Sequence, residues 1–355
     1  MVSVKDWQEL LTVGTENEHI KISGKEKKNG EWVFKRTVNG DSLERGYLSP
    51  REGNEVTGWD NALRLLDGSP LRSLHILKAD PLIYPYLGKY MLTSKNIGEE
   101  LLLAWSDKVF PGKNKDMVMA AKWLLGSDRA VILSGAGMST ESNIPDFRSS
   151  SGWWKQIDPR TVATVEALDS NYDLFQEFYA TRMKALDQIE PHEGHRVLAK
   201  WEENNLVQLI GTQNVDGLHS AAGSLNVQEL HGSIRSIRCH DCGKEGSIEA
   251  FTSHETCSRC GGRLRPAVVL FGEMLPQEAW ETTLEAIEQA GLVIVIGTSM
   301  EVYPANQLPA MTSGKTVYIN AETAETGAGF DLIIEGKAKK TLQNINELIE
   351  IGIRR

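Results

Sequence analysis

Short apolar runs alternate with longer amphipathic stretches from about residue 115 to the C-terminus. Continuous runs of Val, Ile and Leu are typical of strands that are buried on both faces of a parallel sheet. Such strands are predicted at Ala130–Leu133, Leu206–Ile210, Leu292–Ile296 and Thr316–Ile319. Helices are predicted where apolar residues recur every three or four positions, near 116–125, 172–187, 192–204, 276–290 and 341–350. The alternation predicts an α/β fold with a Rossmann-like, doubly wound parallel sheet.

The first 112 residues have a different pattern. His19–Ile22 and Glu31–Val38 alternate like two strands, and the Asn29-Gly30 pair between them favours a hairpin. Apolar residues at helical spacing predict helices at Trp59–Leu66 and Ile97–Lys108. The pattern therefore predicts an N-terminal α+β extension, and nothing in its sequence indicates a function.

Chain length supports a division into two domains. With 355 residues the chain exceeds the usual size of one domain. The Pro and Gly of segment 110–114 are typical of a linker. We predict an N-terminal region of unknown function at residues 1–112 and a main domain at residues 113–355.

Composition and charge argue against several classes of protein. Hydrophobic residues make up 41% of the chain, which is enough for a buried core. The formal net charge of -10 argues against nucleic-acid binding, because that needs clustered Lys and Arg. The N-terminus lacks the pattern of a signal peptide, and no apolar run is long enough to span a bilayer. We therefore expect a cytoplasmic protein that binds neither membranes nor nucleic acids.

All four cysteines of the chain belong to one motif. Cys239 and Cys242 form one Cys-x2-Cys pair, and Cys257 and Cys260 form a second after fourteen intervening residues. This spacing predicts a tetrahedral zinc site, with disulfides or incidental thiols as the alternative. Because four protein ligands leave no open position, the predicted zinc stabilises the fold and performs no chemistry. The motif interrupts the α/β alternation and so predicts a small inserted zinc module at about 235–265.

A glycine-rich turn follows the first predicted strand of the main domain. The stretch from Val131 to Arg148 begins as a buried strand and turns sharply through Gly135-Ala136-Gly137. Glycines at a strand end let the backbone approach a pyrophosphate, and amides at the next helix start can bind its oxygens. The spacing differs from Gly-x-Gly-x-x-Gly, so a tight turn without a ligand is an equal alternative on this stretch alone.

Six further features extend this stretch into an ordered set of motifs. The pattern GAGxSxxSxIPDFR at 135–148 resembles the first nucleotide-binding signature of the sirtuins, a family of NAD-dependent protein deacylases. The other motifs follow in the family's order: TQNVDGLH at 212–219, ELHG at 229–232, the four cysteines, RPAVVLFGEMLP at 265–276, GTSMEVYP at 297–304 and Ile319-Asn320. The resemblance covers roughly residues 115–352. Asn143 stands where the family usually has Gly, and Asn is the best replacement if that position needs a positive φ.

The resemblance implies that NAD is a co-substrate. The cofactor-binding residues that it implies are Gly135, Ala136, Gly137, Ser139, Ile144, Asp146, Phe147, Arg148, Gln213, Asn214, Asp216, Gly297, Thr298, Ser299 and Asn320. Within this set, the residues expected to line a nicotinamide pocket are Ile144, Asp146, Asn214 and Asp216. Phe147 is expected to shield the reacting sugar carbon. Taken without the motifs, Asp146 would be interpreted as a cap and Asn214 as a turn residue.

The resemblance also implies the catalytic base. In the family, the histidine of ELHG, here His231, removes a proton from a ribose hydroxyl. An imidazole suits this step because its ordinary pKa lies near neutral pH. Without the motif, a lone histidine at a strand end is more often structural. Gln213 and Asn214 are implied as catalytic partners that position the ribose and a water.

Substrate binding is implied for the RPAVVLFGEMLP motif and for one helix. Acylated-lysine proteins or peptides are expected to add as a strand along Val268, Val269, Phe271, Gly272 and Glu273, with an ordinary buried strand as the alternative. Tyr179 and Arg182 resemble the Tyr-x-x-Arg of sirtuins that prefer malonyl- or succinyl-lysine, because a guanidinium with a phenol can bind a carboxylate. Residues three apart on a helix also commonly share a packed face.

The leading hypothesis is therefore NAD-dependent removal of an acyl group, most simply acetyl, from lysine. The products would be nicotinamide, O-acyl-ADP-ribose and free lysine. One alternative is NAD hydrolysis or protein ADP-ribosylation, and another is removal of succinyl or malonyl groups. A non-catalytic NAD-sensing protein is a third, although the retained Asn214, Asp216 and His231 argue against it. The sequence predicts no oligomeric state.

Overall fold

The computed structural model describes residues 8–14, 19–26, 32–38, 41–48, 73–75, 88, 91–93, 99–146, 157–322 and 329–353. The chain divides into two compact units. The first comprises Met1–Gly126 and Asn344–Arg355, and the second comprises Ser127–Gln343. Our assignment of a domain boundary at residue 112 stays a prediction.

Antiparallel strands dominate the described part of the first unit. They are β1 Gln8–Gly14, β2 His19–Glu26, β3 Trp32–Val38, β4 Asp41–Leu48 and β5 Ser73–His75, in the order β4-β3-β2-β1-β5. The predicted hairpin strands correspond to β2 and β3, which pair antiparallel. Their turn pair Asn29-Gly30 and the predicted helix Trp59–Leu66 lie outside the described residues. Two helices follow, α1 Glu99–Val109, near the prediction, and α2 Lys115–Gly126.

A parallel sheet forms the centre of the second unit. Its strands within the described ranges are β6 Ala130–Ser134, β7 Leu209–Thr212, β8 Val227–Glu229, β12 Leu292–Ile296, β13 Lys315–Asn320 and β14 Leu332–Glu335. Their order is β14-β13-β12-β6-β7-β8, and each neighbouring pair is parallel. The strand order reverses direction between β6 and β12, as in doubly wound folds, so the predicted fold class is confirmed.

Burial explains why the central strands consist of continuous apolar runs. Every residue of β6, β7 and β12 is buried, because helices cover a parallel sheet on both faces. Val131, Val293 and Tyr318 pack in one cluster with Ala286 and Ile287 of the helix that precedes β12. The apolar patterns that predicted these strands therefore reflect double-sided burial.

In the described part of the second unit, four helices lie close to predicted positions, and three short helices at 165–170, 218–221 and 248–252 were not predicted. In chain order, these helices are α3 Val165–Ser170, α4 Tyr172–Leu186, α5 Glu193–Glu203, α6 Leu218–Ala221, α7 Ile248–Thr252, α8 Gln277–Glu288 and α9 Ala338–Ile353, the last extending into the first unit. In the described residues we find no helix with the length and apolar character needed to cross a membrane.

Strand β7 begins three residues later than predicted. The prediction started it at Leu206, whereas the ladder begins at Leu209. Asn205 adopts a positive φ of 57°, and the Leu206 amide donates to the Trp201 carbonyl at 2.8 Å. Asn205 and Leu206 therefore form a left-handed cap that ends helix α5, and strand β7 starts only after this cap.

The zinc module interrupts the main domain where the cysteine motif predicted it. Strands β9 Gly232–Cys239, β10 Glu245–Gly246 and β11 Leu264–Val268 form an antiparallel sheet in the order β10-β9-β11. Its core packs against α4, with Ile237, Phe251 and Leu264 in one cluster with Phe175 and Tyr179. This shared core joins the module to the helix that carries the predicted acyl-selecting residues.

Candidate active site

Glycines bring the ends of β6 and β12 into close contact at the sheet reversal. Gly135, Gly137 and Gly297 follow these two strands, and Gly297 has a φ of 63°. A Cβ on Gly137 would lie 2.8 Å from the Gly297 Cα, and one on Gly135 would lie 2.6 Å from the Thr298 Cβ. Open α/β sheets bind ligands at the carboxyl ends of strands next to such a reversal. The glycine pattern therefore has a packing cause and lies where a nucleotide would bind.

A cavity of about 580 Å³ opens at this edge of the sheet. This volume lies in the usual range for cofactor pockets. The predicted cofactor residues on its wall are Gly137, Ala136, Asp146, Gln213, Asn214, Gly297, Thr298, Ser299 and Asn320. His231 and Val268, Val269, Phe271, Gly272 and Glu273 line it as well. One cavity thus collects residues that are separated by more than one hundred positions in the sequence.

A smaller cavity of about 60 Å³ lies beside it. Ile144, Asn214 and Asp216, three of the predicted nicotinamide residues, line this cavity, as does Ser139. Asp146 instead lines the larger cavity. Asn143 adopts a φ of 65°, so the position that departs from the family pattern does need a left-handed backbone.

A buried polar network forms the wall of the smaller cavity. The Ser139 hydroxyl donates to Asp216 Oδ2 at 2.7 Å and accepts from Asn214 Nδ2 at 3.1 Å. The Leu218 amide donates to Asp216 Oδ1 at 2.9 Å. Burial raises the pKa of the Asp216 carboxyl, while hydrogen bonds from Leu218 and Ser139 oppose the rise. The network presents a fixed carboxylate and amide, which suits recognition of a carboxamide group.

Two predicted cofactor residues, Phe147 and Arg148, lie outside the described residues. The remaining residues of this motif, up to Asp146, are described. The shielding role of Phe147 therefore stays a prediction.

His231 lies in the two-residue turn between β8 and β9, at the wall of the larger cavity. Its Nδ1 lies 3.1 Å from the Gln213 carbonyl oxygen, which can only accept. The neutral ring therefore carries its proton on Nδ1, and Nε2 keeps a lone pair. Burial lowers the pKa of His231, against the smaller effect of the Gln213 hydrogen bond. A neutral imidazole at pH 7 is the form that a general base needs.

The glycine of the ELHG motif has a steric cause. Gly232 adopts a φ of 71°, and a Cβ on it would collide with the Ala267 carbonyl oxygen. This close approach lets β9 and β11 pair directly beside His231, where Gly232 pairs with Val268. The backbone at the end of the motif is therefore held by strand pairing.

The wall of the larger cavity also contains a residue of β13 that the sequence motifs did not single out. Tyr318 is fully buried on β13, and its hydroxyl donates to the Thr298 carbonyl at 2.8 Å. The same hydroxyl accepts from Asn320 Nδ2 at 3.0 Å, and Gln213 Nε2 donates to Thr298 Oγ1 at 3.2 Å. Tyr318 thus connects two predicted nucleotide-binding segments. Its position two residues before Asn320, on the same strand face, was the available signal.

The segment from Val268 to Glu273, named here the 268–273 arch, leaves the zinc-module sheet and crosses the cavity wall. The Val269 amide donates to the His231 carbonyl and the Phe271 amide to the Ala163 carbonyl, each at 2.8 Å. The Phe271 side chain is 53% exposed, so it is available to a ligand. The 268–273 arch beside His231 thus has buried residues, Val268 and Leu270, and exposed ones, Phe271 and Gly272, so an ordinary buried strand accounts for only part of it.

Tyr179 and Arg182 both line the larger cavity, on the face of α4 that turns toward it. Tyr179 is 3% exposed, and the Arg182 guanidinium lies 5.5 Å from the Phe178 ring centre and 5.8 Å from that of Tyr179. The position of this pair agrees both with side chains that pack on one helix face and with side chains that bind an acyl carboxylate. Their role stays a prediction.

The four cysteines are free and positioned to bind one zinc ion. All four Sγ atoms lie within 4.8 Å of one another, with 3.5 Å between Cys239 and Cys260 and 3.7 Å between Cys242 and Cys257. Tetrahedral zinc with bonds of about 2.3 Å needs sulfur separations of about 3.8 Å. The donor set therefore fits a structural zinc, with no position left for a substrate.

Three buried histidines pack together near the carboxyl end of β6, where His219 contacts Ser134. The ring centres of His192 and His195 are 4.3 Å apart, and those of His195 and His219 are 5.1 Å apart. His219 Nε2 lies 2.8 Å from the Ser134 hydroxyl, while neither ring nitrogen of His195 has a partner among the described residues. Burial lowers the pKa of His219 to about 4 and that of His195 still further, helped by neighbouring His192, His219 and Arg196. Both rings are therefore neutral near pH 7.

These histidines predict a stability that is lost in acid. Below the ordinary pKa of 6.5, these histidines are protonated in the unfolded chain. In the folded chain His219 stays neutral until the pH reaches about 4, so the free energy of unfolding decreases as the pH falls from 6.5 to 4. We expect the free energy of unfolding to decrease by about 1.4 kcal/mol per pH unit for each such histidine. Urea unfolding between pH 7 and 5 measures this slope. His219→Asn should reduce the slope by the contribution of one histidine, whereas exposed His254→Asn should leave it unchanged, and equal slopes in all three proteins would contradict the prediction.

The chain is similar in sequence and in fold to Sir2 proteins and NAD-dependent deacetylases. The Sir2 family model matches residues 135–304. An NAD-dependent protein deacetylase of Oceanobacillus iheyensis is 47% identical over 208 residues, which is 58% of this chain and 88% of the relative. A Sir2 homologue solved with NAD aligns with a TM-score of 0.61 and 34% identity, covering 65% of this chain and 93% of that one. A Sir2 variant solved with a deacetylated p53 peptide and 3'-O-acetyl ADP-ribose aligns with a TM-score of 0.61 and 32% identity, over 65% and 97% of the two chains.

Proposed function

Because this chain belongs to the Sir2 family, we propose that it is an NAD-dependent protein lysine deacylase, with acetyl-lysine as its principal substrate. The observation that carries the proposal is a pair of cavities with Ala136 and Asn214 in both walls: the larger one adds Gly137, His231 and the 268–273 arch, and the smaller one adds Asp216. NAD binding, base chemistry and peptide binding need these elements side by side.

NAD, when bound, would supply the electrophilic ribose carbon: the acyl oxygen bonds to that carbon as nicotinamide leaves, and one water then adds to the acyl carbon so that its bond to the lysine nitrogen breaks, giving O-acyl-ADP-ribose and free lysine. The glycine turn at Gly135–Gly137 and the segment Gly297–Ser299 would hold its phosphates, because their backbones approach without side chains in the way. Asn214 and Asp216 would hold the nicotinamide carboxamide in the smaller cavity. The Asn214 amide and the Asp216 carboxyl are held by hydrogen bonds in the protein without a ligand. This supports a role in orienting the bond between nicotinamide and ribose that is broken.

His231 would act as general base through Nε2. Its Nδ1 proton is held by the Gln213 carbonyl, so the free lone pair on Nε2 can accept a ribose hydroxyl proton. Gln213 also donates from its side chain to Thr298, so this one residue contacts both His231 and a segment proposed to bind the nucleotide. Gln213 would therefore position the sugar relative to His231.

An acylated-lysine peptide would add as a strand beside the 268–273 arch. Main-chain hydrogen bonds supply much of the affinity in this mode, so selectivity for flanking sequence is low. Val269 and the exposed Phe271 would enclose the lysine methylenes. A protein in this position presents its acyl group to the cavity that contains His231.

Incubating the full chain with NAD and an acetyl-lysine peptide tests the function. We expect nicotinamide, deacetylated peptide and O-acetyl-ADP-ribose in equal amounts, and no deacetylation without NAD. Nicotinamide release that is the same without peptide would favour NAD hydrolysis, and transfer of label from NAD to protein would favour ADP-ribosylation. Either result without deacetylation would refute the proposed function.

A second substrate class is favoured by the position of Tyr179 and Arg182 on the cavity wall. A guanidinium beside a phenol can bind the distal carboxylate of succinyl- or malonyl-lysine. Comparing kcat/KM for acetyl- and succinyl-lysine peptides of one sequence decides between the two classes. A higher value for succinyl-lysine would assign this chain to the second class.

The proposed partners are acylated proteins of the cytoplasm. The four free cysteines support this location, because zinc thiolates are maintained in a reducing compartment. The excess of acidic residues is compatible with basic peptides around the modified lysine.

A further inference from the structure

Arg265 is an arginine with no exposed surface, on strand β11. Its Nη1 donates to Glu273 Oε1 at 2.7 Å, and its Nη2 donates to Glu273 Oε2 at 3.0 Å. Nη2 also donates to the Val268 carbonyl at 2.6 Å, and Nε donates to the Pro266 carbonyl at 3.2 Å. Burying a guanidinium is costly unless it is paired and hydrogen-bonded in this way. We call this ion pair the Arg265–Glu273 clasp.

The clasp joins both ends and the middle of the 268–273 arch. Arg265 binds the carbonyl of Val268, where the arch starts, and the carboxylate of Glu273, where it ends. Glu273 Oε2 accepts from the Leu270 amide at 2.8 Å, and the Glu273 amide donates to the Leu270 carbonyl at 3.0 Å. One ion pair therefore connects the two ends of an arch whose residues line the larger cavity.

Charge keeps the clasp intact near neutral pH. Burial acts to raise the pKa of Glu273, but hydrogen bonds from Arg265 and Leu270 and the charges of Arg265 and Arg238 outweigh it, so the pKa lies below its ordinary value. Arg238 lies 3.5 Å from Glu273 Oε1 and adds a second positive charge. Glu273 is thus ionised at neutral pH and directed toward two guanidinium groups.

We propose that Arg265 and Glu273 are positioning residues that fix the 268–273 arch in the shape that an acyl-lysine peptide pairs with. Glu273 acts through Arg265 and Leu270, and the peptide contacts the arch backbone with Val269 and Phe271. The inference rests on the proposed function, because it takes acyl-lysine peptide as the ligand of this arch. The hydrogen bonds of the clasp given above join residues within 265–273 and do not include the glycine turn at Gly135–Gly137, so we expect nucleotide binding to change little when the clasp is altered.

Three variants of the full chain test the clasp in graded steps. Glu273→Gln keeps the shape but turns an amide N–H toward an arginine N–H, Glu273→Ala removes both acceptors, and Arg265→Lys keeps charge but loses the fork. Fluorescence anisotropy with a labelled acetyl-lysine peptide measures peptide Kd, and calorimetry measures NAD Kd. We expect the peptide Kd to rise about tenfold in Glu273→Gln and further in the other two, with the NAD Kd changed less than about twofold.

Exposed Glu278→Gln, with the same change of charge five residues along the chain, is the matched control and should bind peptide like the wild type. Thermal melting identifies a variant that fails to fold, in which case Glu273→Gln, the mildest change, decides. Equal loss of peptide and NAD affinity, or wild-type peptide affinity in Glu273→Gln, overturns the proposal. Wild-type chain that binds peptide without NAD-dependent turnover refutes the function alone, while absence of peptide binding by the wild type overturns both.

Discussion

Replacing His231 with alanine is expected to lower kcat for deacetylation by about 10²–10⁴-fold, the usual contribution of a positioned general base. The reason is local: Nε2 is the only ring nitrogen of His231 that is free of the Gln213 carbonyl and can take a proton. Steady-state kinetics with NAD and an acetyl-lysine peptide measure the loss. Removing a partly buried imidazole from a turn leaves the nucleotide contacts in place, so the NAD Kd should change little.

The pH dependence of kcat/KM provides a second test of His231 as the general base. Burial lowers the pKa of His231, so the neutral base is present at pH 7 and is lost only when the pH falls below the ordinary value of 6.5. We expect kcat/KM to be flat above pH 7 and to fall on the acid side, and the residual activity of His231→Ala to lack this limb. Exposed His254→Ala serves as control. Wild-type kcat in His231→Ala would assign the base elsewhere.

Removing the zinc is expected to unfold the module at 232–268 and abolish activity. Structural zinc sites bind with about 10–16 kcal/mol, which is comparable to the whole stability of a domain. The module also shares a core with α4 and contains Arg265 of the clasp, so its loss reaches the peptide site. Circular dichroism, melting temperature and activity after treatment with a chelator measure these effects, with one zinc per chain by metal analysis beforehand.

Cys242→Ser should reproduce the loss in the presence of zinc, because one thiolate is removed from the tetrahedron. Ser258→Ala lies within the second Cys-x2-Cys turn and keeps all four thiolates, so it should retain zinc and activity. Adding zinc back to the stripped wild type should restore both. A chelated protein that keeps its melting temperature would refute the structural role of the site.

Local features of this chain could be predicted because their causes are local. The strand Leu292–Ile296 matched its prediction, since five consecutive apolar residues fit a strand buried on both faces. Each Cys-x2-Cys turn places two thiolates together through local geometry. In the second turn, the Gly261 amide donates a hydrogen bond to the Cys257 carbonyl, and Gly261 adopts a positive φ. Asn143, where the family usually has Gly, was expected to suit a left-handed backbone if the position needed one, and its φ is 65°.

Two strands of the parallel sheet escaped the sequence pattern for a physical reason. Strand β8 has three residues, Val227–Glu229, and strand β14 has four, Leu332–Glu335. Both lie at the edges of the described sheet, where one side has no neighbouring strand and burial is only partial. Short, half-exposed strands lack the continuous apolar run that identified the central ones.

The site itself required contacts that no local pattern contains. Asp216, Ser139 and Asn214 could each be named from motifs, but their hydrogen-bonded network depends on how the turn after β6 meets the segment after β7. The contacts of His192, His195 and His219 with one another, and those of Tyr318, were not predicted, although His219 ends the TQNVDGLH motif. We expected a peptide to add as a strand along the 268–273 arch, but no local pattern indicated that Arg265 of the zinc module binds Glu273 at its end.

The sequence by itself determined which residues have the chemistry of this protein: the glycine turn, the cysteine tetrad, the histidine of ELHG and the apolar strands. These are properties of residue type and short spacing. Only the tertiary structure decided that β6 and β12 are neighbours, that one cavity joins Gly137 to His231, and that Arg265 is buried against Glu273. Strand order and burial arise from contacts between distant parts of the chain, and their energies depend on the whole packed fold.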